Sequence, residues 1–99
     1  MAGLVMAMVL FDDQSAYENY VRAVAPTITA YGGRPTAYGH PVEILEGDPG
    51  QITYGVVLEF DTVDAARAWW RSPEYAAVRP LRTEHGASTV LLLESAPVN

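Results

Sequence analysis

The run Gly3 to Phe11, GLVMAMVLF, has strand length and is apolar without interruption. If it is extended, Leu4, Met6, Met8 and Leu10 share one face, and Val5, Ala7, Val9 and Phe11 share the other. A strand of this kind has to be covered on both sides. Ile52 to Phe60, ITYGVVLEF, and Ala87 to Glu94, ASTVLLLE, are likewise apolar or small on both faces. The chain supplies only two helical blocks to cover them. That shortage constrains the fold more than any other feature.

The first helical block follows Asp12 and Asp13, which supply N-cap chemistry. Tyr17, Tyr20, Val21, Val24, Ile28 and Tyr31 recur there at helical spacing, with Glu18, Asn19 and Arg22 opposite. Pro26 removes a backbone donor and opposes the carbonyl of Arg22, which predicts a kink or a broken turn. Gly32-Gly33 ends the block. Arg34 to Glu46 reads as two short strand pieces interrupted by Gly39-His40-Pro41, and Gly47-Asp48-Pro49-Gly50 reads as a turn. The second block is capped by Asp61 or Thr62 and carries Ala65, Ala66, Ala68, Trp69 and Trp70. Ser72-Pro73-Glu74 restarts it, Pro80 interrupts it and Gly86 closes it. The tail Ser95 to Asn99 is expected to fray.

The order β-α-β(β)-β-α-α-β predicts an α+β, ferredoxin-like split βαβ sandwich, one domain over residues 1–99. Right-handed crossovers put both helical blocks on one side of the sheet. The other side is then an apolar patch, which a second copy packing sheet against sheet would cover. A homodimer is expected.

Six arginines, no lysine and twelve acids give a net charge of −6, which disfavours nucleic acid and anionic membrane surfaces as partners. No apolar run approaches the ~20 residues of a membrane span, and the apolar start lacks the basic residues and cleavage site of a signal peptide. A cytoplasmic protein is expected. Cysteine is absent, and His40 and His85 lack metal-ligand spacing, so no metal site is expected. No phosphate loop or dinucleotide fingerprint occurs, and no cofactor is expected.

The run EFDTVDAARAWWRSPEYAAVRPLR from Glu59 to Arg82, with Gly32-Gly33-Arg34 and Leu45-Glu46-Gly47, resembles the bacterial domain-of-unknown-function family thirteen-thirty. The resemblance covers nearly the whole chain, and Ser72-Pro73-Glu74-Tyr75 followed by Arg82 is its most specific stretch. It implies the dimeric α/β-barrel fold, a superfamily that includes isomerases, cofactor-free monooxygenases, polyketide cyclases and some haem enzymes. It names no reaction for this chain.

The residues suited to chemistry are few. On a continuous helix Tyr75, Arg79 and Arg82 share one face, with Tyr75 and Arg82 two turns apart. They would border one pocket without a direct hydrogen bond. Tyrosine and arginine both donate to an enolate or phenolate oxygen. An imidazole can carry a proton in acid–base work and Glu46 ends a strand region, so His85 and Glu46 are candidate proton carriers. His85, Glu46, Tyr75 and Arg82 form the candidate catalytic set; Arg34, Tyr38, Trp69 and Trp70 are the candidate substrate contacts. Each also has a structural reading: Arg34 or Arg82 pairing with Glu46, Arg82 with Glu59, and the rings filling the core. The composition of rings and polar tips suits a small apolar or aromatic metabolite. Three functions fit: an acid–base isomerase or cyclase of an enolisable or polyketide-like metabolite, a cofactor-free monooxygenase, and a non-catalytic dimeric binding module.

Overall fold

The computed structural model describes residues 1–41, 43–47 and 54–96. The elements are β1 (Gly3–Val9), α1 (Gln14–Ala30), β2 (Arg34–Gly39), β3 (Tyr54–Phe60), α2 (Val63–Trp70), α3 (Pro73–Val78), α4 (Pro80–Thr83) and β4 (Ser88–Glu94). The four strands form one sheet in the order β2-β3-β1-β4, and every neighbouring pair is antiparallel. This is the ferredoxin-like arrangement, with β1 and β3 central and the helices on one face.

The helix ends follow from side-chain chemistry. The Asp13 carboxylate accepts from the Ala16 N–H at 3.2 Å, and the Thr62 hydroxyl accepts from the Ala65 N–H at 3.0 Å. Ser72 Oγ accepts from the Tyr75 N–H at 3.0 Å and donates to the Trp69 carbonyl at 2.7 Å. One hydroxyl thus joins the end of α2 to the start of α3. At the end of α1 the N–H groups of Gly32 and Gly33 reach back to the carbonyls of Thr29 and Ile28. Gly32 supplies the left-handed φ of 77° that this cap requires.

Three expectations are corrected. Pro26 does not break α1, which runs unbroken from Gln14 to Ala30. The proline is exposed, so the carbonyl it leaves without a partner lies on the solvent side while Tyr20, Val24 and Ile28 anchor the opposite face. Among the described residues between Arg34 and Glu46 only one strand forms, since residues 43–47 belong to no strand. Arg34 does not pair with Glu46. It lies beside Glu59 in the register and bonds that carboxylate at 2.6 Å, with Asp61 3.8 Å away. Residues 48–50 of the expected turn, Ile52 and Thr53 at the start of the expected third strand, and 97–99 of the expected tail lie outside the described residues. Ser95 still donates to the Ala2 carbonyl at 2.8 Å.

Alternation divides the sheet. Val5, Val9, Tyr54, Leu58 and Phe60 are buried against the helices. Met6, Met8, Leu91 and Leu93 are 39–49% exposed on the other face. The smallest extent of the fold is 16 Å, room for the sheet and one helical layer only. No helix among the described residues is long and apolar enough to cross a membrane.

β1 and α2 approach closely at Gly3, where an added Cβ would lie 2.7 Å from the Thr62 carbonyl oxygen and 2.8 Å from the Val63 Cα. Both obstacles are backbone. Gly3→Ala is expected to lower stability by about 1–3 kcal/mol, a fall in thermal midpoint of roughly 5–20 °C by calorimetry. Gly39→Ala, where the added atom meets nothing within 4 Å, is expected to leave the midpoint unchanged.

Candidate functional site

Between α1 and the inner face of the sheet lies a cavity of about 260 Å³. Its floor follows from the register: Tyr38, Val56, Ala7 and Val90 stand side by side across β2, β3, β1 and β4. Alanine at the centre of this row leaves space that a larger residue would fill. α1 contributes Tyr17, Tyr20, Val24 and Ile28 to the walls, and Trp69, Trp70, Tyr75 and Arg82 complete them from α2, α3 and α4.

Arg82 is the one charged group on this wall among the described residues, and it is 5% exposed. Its Nε donates to the Tyr75 hydroxyl at 3.2 Å and its Nη1 donates to Ser88 Oγ. The expectation that Tyr75 and Arg82 share no direct hydrogen bond is therefore corrected. Pro80 ends α3 and starts the short α4, so the two residues do not sit on one straight helix. The Tyr75 hydroxyl lies 3.1 Å from that of Tyr20. No carboxylate comes within ion-pair distance of Arg82 among the described residues; the expected pairing with Glu46 or Glu59 does not form. A buried charge of this kind is held by neutral hydroxyls and by the Trp70 ring, whose centroid is 5.8 Å from the guanidinium.

Burial, with the Tyr75 hydroxyl as the next contribution, pushes the ionisation of Tyr20 well above the usual phenol range. Burial does the same to Tyr54. Both remain protonated at neutral pH. Burial alone weakens the Arg82 charge, but the Tyr75 and Tyr20 hydroxyls outweigh it and the net direction is upward, so the guanidinium stays charged.

The other candidates are dispersed. Trp69 is 2% exposed, and its Nε1 donates to Thr27 Oγ1 at 3.0 Å. Trp70 stacks against Tyr75, and the Arg79 guanidinium sits 4.5 Å from its ring centroid. Tyr38 is 69% exposed at the rim. Arg34 is exposed and bound to Glu59 on the opposite sheet face. His85 lies outside the cavity, where its Nδ1 is 3.0 Å from an Asp12 carboxylate oxygen and its carbonyl accepts from the Asp12 N–H. This contact ties the end of α4 to the end of β1. Glu46 is exposed and borders no part of the cavity. No three His, Cys, Asp or Glu side chains gather at metal-binding distance among the described residues.

Sequence reasoning put Tyr20 on the apolar stripe of the first helical block but singled out neither it nor Tyr54 for the site, and it overlooked Ser88. The helical stripe of α1 and the alternation of β3 carry the first two. Nothing in the sequence marked Ser88, which meets Arg82 only because β4 begins where α4 ends.

The model of the family described as Domain of unknown function (DUF1330) matches residues 2–96. The chain belongs to this family. No curated protein sequence matches it. Among solved structures, a protein of unknown function from Rhodopseudomonas palustris superposes on this DUF1330 chain with a TM-score of 0.76 at 17% identity, covering 98% of this chain and 84% of that one. A dimeric ferredoxin-like protein of unknown function from Thermobifida fusca gives 0.69 at 18% identity, covering 96% and 92%. A hydroxynitrile lyase from Passiflora edulis gives 0.80 at 10% identity, covering 99% and 96%. At these identities the likeness is one of fold, and the fold is shared by an enzyme and by proteins of unknown function.

The buried phenols give a test of the site. Unfolded tyrosines ionise near pH ~10, and Tyr20 and Tyr54 ionise higher in the folded state. Below pH ~10 both states hold the same phenolic protons, and these groups leave stability unaffected. As pH rises past that point the unfolded chain releases protons that the folded chain keeps, so stability falls. Ultraviolet titration is expected to show Tyr20 and Tyr54 ionising only with alkaline unfolding. Ionisation of both near pH ~10 in the folded protein would contradict the burial described.

Proposed function

We propose that this DUF1330 protein is a cofactor-independent enzyme acting by acid–base chemistry on a small, flat, apolar and enolisable metabolite, as an isomerase or cyclase does. One observation carries the reading: a buried guanidinium stands on the wall of an apolar cavity with no carboxylate beside it among the described residues. An enolate or phenolate oxygen forming there meets donors that are already oriented and shielded from water. In this reading Arg82 and Tyr75 stabilise the oxygen, Tyr20 supports Tyr75, and Trp70 and Tyr38 border the ring of the substrate. His85 and Glu46 are given no part, since neither borders the cavity. Proton removal falls to water entering past Tyr38.

A non-catalytic binding module is the second reading. It is favoured by the lack of a carboxylate or imidazole on the cavity wall among the described residues. Deuterium exchange of 2-tetralone followed by proton NMR separates the two. The enzyme reading expects the wild type to accelerate exchange over buffer, and Arg82→Lys, which keeps the charge but loses the fork, to reduce that acceleration by about tenfold to a thousandfold. Binding of 2-tetralone without acceleration would contradict catalysis.

The same reading includes a cytoplasmic homodimer formed through the outer sheet face, where Met6, Met8, Ala37, Val57 and Leu91 line a shallow apolar groove. Support comes from that exposed apolar area and from the dimeric fold relatives. Sedimentation is expected to give twice the chain mass, and Met6→Glu, which places a charge at the centre of the face, is expected to give the single chain. A monomeric wild type at micromolar concentration would contradict it.

A further inference from the structure

The mouth of the cavity lies between α1 and the β2 edge. Val21, Ala25 and Thr29 of α1 and Pro35 and Tyr38 of β2 all line the cavity and are all exposed. Tyr17, Val21 and Ala25 stand at i, i+4 and i+8, so Tyr17 continues the row of side chains that forms the α1 lip. The β2 lip is extended in a similar way. β2 ends at Gly39, and Pro41 restricts the intervening His40 to extended backbone. The alternation that puts Tyr38 on the inner face beside Val56 therefore returns His40 to that side.

The two lips meet where the His40 and Tyr17 rings lie 6.1 Å apart, centroid to centroid. Tyr17 is itself held edge-on to Phe11 at 5.6 Å and to Tyr54 at 4.9 Å. The imidazole thus rests on a fixed group of rings at one corner of the mouth. It also borders the outer groove, and so stands at the sheet edge between the two spaces. Other bases among the described residues are engaged elsewhere. Glu59 is bound by Arg34, Glu18 accepts from Gln14 Nε2 at 3.4 Å, and His85 lies against Asp12.

We propose that His40 is the proton acceptor for chemistry in this cavity, reached through the water that enters past Tyr38. This rests on the proposed function and deepens it by naming where the proton goes. The C–H bond beside the substrate carbonyl breaks, and its electron pair passes into the enolate held by Arg82 and Tyr75. The water takes that proton and gives one of its own to the imidazole. The reverse transfer returns a proton to carbon, so no oxidant and no second reactant is required. His40 is exposed, so the proton it holds passes on to bulk water, and exchange with solvent reports the step.

The test follows deuterium exchange of 2-tetralone by proton NMR with the intact protein. His40→Ala and His40→Gly are each expected to lower the wild-type acceleration by about tenfold to a hundredfold, the lower end for a positioned acid–base group. Added imidazole is expected to restore both, beyond the exchange that imidazole produces in buffer alone. It is expected to leave Arg82→Lys unrestored, since that variant lacks the guanidinium fork and not the base. A merely structural role for His40 gives no such rescue. Undiminished acceleration in a folded His40 variant, or a loss that imidazole does not restore, would overturn the role of His40 and leave the enzyme reading standing. No acceleration by the wild type would overturn both. Either His40 variant decides the matter if the other does not fold.

Discussion

A single guanidinium organises the space between the helices and the sheet. Arg82 is buried in a chain that carries twice as many acids as bases, yet it has no acid beside it among the described residues. Its partners are the hydroxyls of Tyr75 and Ser88 and, through Tyr75, that of Tyr20. These contacts tie α4 to α3, to the first residue of β4 and to α1. Removing the arginine would leave three neutral polar groups to find other partners; keeping it leaves a positive potential aimed into an apolar cavity. Neutral hydroxyls hold the cation in place without cancelling its charge.

The cavity exists because small residues stand where large ones would close it. Ala7 sits at the middle of β1, between Val56 and Val90, while the rings of Phe11, Tyr17, Tyr20 and Tyr54 pack on one another at the β1 end beyond Val9. A second ring cluster, Phe60 with Trp69 and Tyr75, fills the opposite end. α1 stands off the sheet across the cavity, while α2 packs directly against β1. On the far side of the same sheet Met6, Met8 and Leu91 face outward, with no layer of the described residues over them. One sheet thus serves two surfaces: a cavity floor inside and an apolar face outside.

Much of this was legible in the sequence, because the signals were strong and local. The succession of strand and helix patterns led to the ferredoxin-like order, and strands apolar on both faces with only two helical blocks led to the expectation of a second copy. Asp13, Thr62, Ser72 and Gly32 act where their cap chemistry predicts. Pro26 was misread because a proline on the solvent side of a helix gives up a bond that water can replace, and its burial is not written in its neighbours. The placement of Tyr75 and Arg82 on one side was readable from spacing, but their direct bond was not, since it depends on how Pro80 turns α4. Arg34 went to Glu59 rather than Glu46 because strand register sets that pairing, and register is long-range. His85 and Glu46 were chosen for their chemistry alone; the fold sets one on Asp12 and leaves the other exposed.

The account stands on Arg82 being inside, hydrogen-bonded through Nε, and shielded from water. Hydrogen exchange of arginine Nε–H groups by nitrogen-15 NMR reads this directly. Arg22 and Arg71 are exposed, and their Nε–H signals should exchange rapidly with water. The Nε–H of Arg82 should exchange far more slowly and show cross-relaxation to the rings of Tyr75 and Trp70. An Arg82 signal that exchanges as fast as those of Arg22 and Arg71 would contradict a buried cation at the cavity wall.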